Sequence, residues 1–183
     1  DDLLAQMKQK GRYNIKLAEK HGVRIEQSND AAEFAQLAKL TAGRDGFKSH
    51  SEGYYKAFLE HLEGSFLLLA HKSDSNEPIA GLLGVIWGQT GTYYYGASNH
   101  AERALMAPYL LQWHATQHCK TAGCTSYDLF GIAPENSADH PWSGITRFKE
   151  QFGGEVIEYP TEKQIVLRPM MQRMLGMKRK LLG

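Results

Sequence analysis

Three groups of side chains in this sequence could do chemistry. The first is Arg147-Phe148-Lys149, which follows a polar loop and precedes Phe152-Gly153-Gly154. The short helix that carries them follows a loop beyond a strand end, where ligand contacts tend to gather. Arg147 and Lys149 also suit an ordinary solvated helix face. The second group is Tyr93-Tyr94-Tyr95. Strand alternation predicts Tyr93 and Tyr95 on one sheet face and Tyr94 on the other. Their hydroxyls could bond a polar ligand, or the rings could simply pack. The third group is His114 and His118, one helical turn apart. That spacing could share a metal, but no third ligand stands in register, so no metal is expected. The histidines and serines form no recognisable nucleophilic triad. Cys119 and Cys124 have neither redox nor metal spacing and read as small apolar residues of a reducing compartment.

The elements that must position these groups follow from periodicity. Residues 3–21 read as a basic amphipathic helix, interrupted by Gly11 at a cost of roughly 1 kcal/mol against Ala. Residues 23–27 alternate as a strand. Ser28-Asn29-Asp30 offers caps for a helix over 31–40, and Ser51 for another reaching Leu62, with a glycine-containing loop at 42–50 between them. Strands at 65–71, 79–88 and 92–97, joined by tight turns, form an antiparallel meander. The glycines Gly81, Gly84 and Gly88 of the second strand mark bulges or close backbone approach. The longest helix covers 103–120 and becomes regular near Met106, since Pro108 is tolerated only in a first turn. A strand at 125–130, a loop at 131–141, a short helix within 142–152, strands at 155–159 and 164–167, and a basic helix opened by Pro169 complete the chain.

With 183 residues, this is room for one packed domain over residues 1–168 plus the helix at 169–183. No stretch approaches the ~18 apolar residues needed to span a bilayer. The element order predicts an α/β fold of the GNAT type, the layout of acyl-CoA N-acyltransferases: a mixed sheet with an antiparallel meander, flanked by helices. Such enzymes cradle a coenzyme A pyrophosphate on backbone N–H groups where the long helix begins. Here Met106 stands where the pattern wants Gly after Arg103, and Pro108 removes a donor N–H. Coenzyme A is therefore not the expected donor, and no cofactor is expected.

The segments YYYGAS (93–98), APYLLQWH (107–114), YDLFGIAPEN (127–136) and HPWSGITRFKEQFGG (140–154) together resemble the Fem family of non-ribosomal peptidyltransferases. The opening KGRYNIKLAEK (10–20) is similar to the entry into that family's second half. The resemblance implies transfer of an amino acid from aminoacyl-tRNA, as co-substrate, to a UDP-linked or lipid-linked muramyl pentapeptide during cross-bridge formation. It implies two GNAT-like domains, of which this chain resembles the second, with the first missing. It also implies a cytoplasmic setting, with peripheral contact at the inner membrane face. Carried over by position, Lys149 matches the catalytic lysine, and Phe148 and Arg147 are its neighbours. Tyr93 or Tyr95, Tyr54 and Lys48 match the residues that grip the precursor. The alternatives are a GNAT acyltransferase using acyl-CoA and a non-catalytic binding module.

The net charge of +1 conceals a segregation. Residues 1–24 carry +3 and residues 168–183 carry +5, while residues 25–167 carry −7. Basic ends on an acidic body suit solvated helices, and equally suit phosphate-rich partners such as tRNA or an anionic membrane surface.

Overall fold

The computed structural model describes residues 2–135, 137, 139–160, 163 and 165–182, with 179–182 described by their backbone alone. Asn136 of the loop motif and Gln164, which heads the last predicted strand, lie outside the described residues, as do the side chains of Arg179 and Lys180.

Five strands form one sheet in the order β1-β2-β3-β4-β5: β1 (Arg24–Ser28), β2 (Ser65–His71), β3 (Pro78–Trp87), β4 (Thr90–Ser98) and β5 (Ser126–Asp128). The first four are antiparallel, and β5 runs parallel to β4. The parallel step requires a crossover, supplied by α5 (Ala107–Thr121). This is a GNAT-like mixed sheet covered on both faces. Phe66 and Leu68 of β2 pack with Leu110 and Leu111 of α5 and with Ile15 and Ala18 of α2 (Gln9–Lys20). The alternate residues Leu67 and Leu69 pack with Phe34 and Leu37 of α3 (Ala31–Asp45) and Tyr55 of α4 (Glu52–His61). Two covered faces explain why β2 reads as an unbroken apolar run.

The caps form as their chemistry requires. Asp30 accepts from the N–H groups of Ala32 and Glu33, and Ser51 accepts from that of Tyr54. Helix α3 runs past the predicted end at residue 40 to Asp45, where Gly46 caps it in the left-handed conformation. The predicted opening helix is two: α1 (Asp2–Gln6) and α2, separated at Met7 and Lys8. The Lys8 N–H is there donated to the Gln151 carbonyl instead of to a helix partner. Gly11 does not interrupt α2. A Cβ at that position would overlap the Gln151 carbonyl oxygen, so glycine lets the helix lie directly on the chain that follows Lys149. The residues 103–120 divide into a 3-10 turn, His100–Leu105, and α5, with Pro108 in its first turn. Residues 155–159 form no strand. Val156, Ile157 and Tyr159 are exposed there and find no sheet partner among the described residues, so their β-forming composition is not used. Residues 165–167 are likewise outside any strand. The chain closes with α6 (Ser143–Lys149), a 3-10 turn Glu150–Phe152, and α7 (Pro169–Leu182), whose Met170, Met174 and Met177 are exposed.

One irregularity reorganises the tyrosines. Leu83 pairs with Tyr95, but its neighbour Gly84 pairs with Tyr93, leaving Tyr94 as an extra residue in a β-bulge. A bulge shifts side-chain alternation by one. Tyr93 therefore faces α5 and Tyr95 faces α3 and α4, against the expectation that both share a face. Immediately beyond Thr92 and Asp128 the pairing of β4 with β5 stops. The two strands part there, and ligands of open α/β sheets bind beyond the carboxyl ends of parallel strands.

Candidate active site

Lys149, the last residue of α6, lies at this parting. It is 7% exposed, and its Nζ donates to the Gly131 carbonyl at 2.6 Å. The Nζ also stands 5.6 Å from the centre of the Tyr93 ring, within range of a cation–π attraction. Burial lowers the Lys149 pKa from its ordinary value, and the negative charge of Asp128 opposes that shift. Tyr93 is pushed up to about 12 by burial, partly countered by the Gln112 amide, so its hydroxyl keeps its proton at neutral pH. Gln112 is only 2% exposed and accepts a 2.8 Å hydrogen bond from the Tyr127 hydroxyl. The bulge is what carries the Tyr93 ring to Lys149, and Gly96 is what makes room for it: a Cβ at residue 96 would overlap the Tyr93 hydroxyl.

The backbone around Lys149 is held from three sides. Thr146 Oγ1 accepts from the Ala133 N–H at 2.8 Å, tying α6 to the loop after β5. The Phe130 N–H donates to Asp128 Oδ1 at 2.7 Å, and Phe130 adopts φ of 64°, an unusual conformation for a bulky residue. The amino-terminal helices buttress the far side through Lys8 and Glu150, 3.1 Å apart. Phe148 packs against Tyr109 and Phe152, with ring centres 5.0 and 5.2 Å away, and lines a largely apolar cavity of about 190 Å³ with Ser98, Arg103 and Met106.

Tyr54 and Tyr95 meet on the opposite face of the sheet. Their hydroxyl oxygens are 2.9 Å apart, and the His50 ring stacks on Tyr54 with centres 4.0 Å apart. Burial, followed by the bond to Tyr54, raises the Tyr95 pKa well above its ordinary value. The predicted residues thus divide. Lys149, Phe148 and Tyr93 belong to the α5 side of the sheet, while Tyr54 and Tyr95 belong to the α4 side. Lys48 is exposed in the segment before α4, and Arg147 is exposed on α6, so neither is drawn into a contact with Lys149. Gly131, Gln112 and Tyr127 were not legible as site residues. The one signal was a glutamine inside the apolar stretch Leu110-Leu111-Gln112-Trp113. His50, rather than Lys48, is the residue one turn before Tyr54 that touches it.

His118 packs its ring 4.5 Å from that of Phe66, and burial lowers the pKa of both His114 and His118. Among the described residues, no three His, Cys, Asp or Glu side chains converge as a metal site would require. The Cys119 thiol is pushed up to about 12, chiefly by burial. Where α5 begins, the Met106 and Tyr109 N–H groups are engaged by the Arg103 and Met106 carbonyls, and Pro108 has none. Those three positions therefore offer no free N–H to an anion at the start of α5.

Comparison with known proteins agrees with this architecture. The chain is similar to the crystal structure of FemX, with a TM-score of 0.77 at 20% identity, covering 84% of this chain and 55% of that one. It also resembles an aminoglycoside acetyltransferase from an uncultured soil metagenomic sample, with a TM-score of 0.59 at 15% identity, over 81% of this chain and 99% of that one. Over 67 residues it is 28% identical to the aminoacyltransferase FemA of Staphylococcus aureus, spanning 37% of this chain and 16% of FemA. The chain thus covers about half of FemX, and its match spans a small part of FemA. The FemAB family model matches residues 1–71 and 65–177, nearly the whole chain, and the protein belongs to the FemAB family.

Proposed function

We propose that this chain provides the lysine-bearing half of an aminoacyltransferase that moves an amino acid from aminoacyl-tRNA to the peptide stem of a peptidoglycan precursor. The observation that carries this reading is a buried lysine at the parting of β4 and β5, held by the Gly131 carbonyl, in a chain of the FemAB family. Aminoacyl transfer joins the attacking amine to the ester carbonyl, breaks the bond to the ribose oxygen, and moves a proton from the amine to that oxygen. Negative charge develops first on the carbonyl oxygen and then on the departing ribose oxygen. Lys149 as a cation would stabilise both, and such a charge acts most strongly in a site sheltered from water. Its bond to Gly131 uses one of three N–H donors and leaves two for the reacting oxygens. No enzyme nucleophile is required.

The Tyr54–Tyr95 hydroxyl pair, with His50 stacked on it, is proposed to grip the precursor, UDP-linked or lipid-linked. The poor pyrophosphate turn at α5 supports aminoacyl-tRNA over acyl-CoA as donor. The test is transfer by the full-length gene product supplied with mixed aminoacyl-tRNAs and the UDP-linked pentapeptide. A product from aminoacyl-tRNA supports the reading. Acylation from acetyl-coenzyme A alone, together with clear calorimetric binding of that cofactor at micromolar concentration, would replace it.

A further inference from the structure

Two exposed aromatic rings adjoin Gly131, the residue that holds Lys149, and a third packs against one of them. Phe130 and Trp142 are 54% and 53% exposed, and Tyr94, the bulge residue, is 41% exposed. The Tyr94 and Phe130 ring centres are 5.3 Å apart, inclined by 34°, and the Phe58 ring centre is 5.4 Å from that of Tyr94. Trp142 lies over Gly131, with a ring carbon 3.6 Å from where a Cβ would stand. Phe130 immediately precedes Gly131, whose carbonyl accepts from Lys149. Two exposed rings therefore flank one glycine, and that glycine positions the buried cation.

Such a cluster is costly for folding alone. Large apolar rings are left in water, the bulge interrupts a ladder, and Phe130 takes a left-handed conformation that a bulky residue rarely adopts. Half-exposed rings near a buried lysine match the chemistry of an unpaired nucleotide: the base stacks on the exposed aromatic surface and the phosphate or ribose meets the charge.

We propose that Tyr94, Phe130 and Trp142 form a stacking platform for an unpaired base at the 3′ end of an RNA, an assignment that rests on the aminoacyl-tRNA reading above. The platform adjoins Lys149 through Gly131, whose carbonyl accepts from the amine. The rings act on unpaired bases of any identity, since every base has a stacking face.

The experiment measures anisotropy of a labelled RNA hairpin with a single-stranded CCA 3′ end, beside the same hairpin with a blunt end, titrated with this chain at fixed salt. The wild type prefers the overhang. Phe130→Leu and Trp142→Leu each lose roughly tenfold on the overhang RNA and nothing on the blunt one, while Phe130→Tyr retains the preference. Equal losses on both RNAs, or none, overturn the platform. Should Phe130→Leu melt early, Trp142→Leu decides, because Trp142 is exposed and outside regular structure. Displacement of the overhang by uridine diphosphate, abolished by the same variants, overturns the RNA assignment in favour of the precursor's nucleotide. Overhang preference lost in the variants, with no transfer from aminoacyl-tRNA by the wild-type full-length protein, keeps the platform and removes the transferase reading. Intact transfer with unaltered RNA binding in the variants does the reverse.

Discussion

The Nζ of Lys149 lies 2.6 Å from the carbonyl oxygen of Gly131, although the residues are 18 positions apart and on different elements. This contact ties the end of α6 to the loop that follows β5 and fixes the buried amine by one acceptor.

Replacing Lys149 by Met keeps the stem and removes the charge. Transfer by the full-length protein should fall by about 10²–10³, the usual cost of losing a preorganised oxyanion donor. Thermal stability should hold or rise, because a buried charge gives way to apolar packing. Near wild-type turnover in that variant would remove Lys149 from the mechanism.

The alkaline limb of the pH–rate profile should fall below the ordinary lysine value of 10.5. Burial lowers the folded pKa, so the cation is lost earlier than from a free lysine. The stability effect has the opposite sense. Between the folded pKa and 10.5 the unfolded chain binds more protons, so this group's contribution to stability increases with pH across that window. Lys149→Arg should move the activity limb upward, and a limb unchanged by that substitution would point to another group.

Gly11→Ala tests whether contact or propensity governs α2. Propensity favours Ala by about 1 kcal/mol. Overlap of its Cβ with the Gln151 carbonyl should cost roughly 1–3 kcal/mol. We expect net destabilisation in urea, with transfer reduced because Gln151 follows Lys149 closely. A stabilised variant would show that the α2 approach to Gln151 is looser than described.

Gly96→Ala should act through Tyr93. The added methyl overlaps the Tyr93 hydroxyl, so the ring must leave its place beside Lys149. Transfer should drop while acceptor binding is retained. Partial rescue by the second substitution Tyr93→Phe, which removes the hydroxyl but leaves ring carbons close to the methyl, separates this account from general misfolding.

Tyr54→Phe and Tyr95→Phe should each weaken binding of the UDP-linked pentapeptide by several-fold, with melting temperatures nearly unchanged. The hydroxyls touch each other at 2.9 Å, so the double variant should lose less than the sum. Strict additivity in calorimetry would show that the pair does not act as one contact.

Much of the fold was legible locally. Asp30 and Ser51 announced helix starts because a side-chain oxygen placed before a helix satisfies orphan N–H groups. The apolar run Phe66–Ala70 announced a strand covered on both faces, and Pro108 marked the first turn of α5. The predicted strand over 155–159 failed because strand propensity expresses packing against neighbours, and no neighbour pairs there among the described residues.

The sequence by itself determined the α/β meander, the crossover helix, the FemAB resemblance and the location of Lys149 on a short helix. The elements follow from periodicities and caps that act within a few residues, and the resemblance rests on short motifs that stand in the chain as written. Only the tertiary structure decided which tyrosine stands beside Lys149. The alternation of β4 depends on how its residues count against those of β3, and one bulge at Tyr94 moves Tyr93 to the α5 side and leaves Tyr95 with Tyr54. Long-range contact likewise decided that Gly11 accommodates the Gln151 carbonyl and that Gly131 receives the lysine, since neither partner is encoded in its neighbour's local pattern.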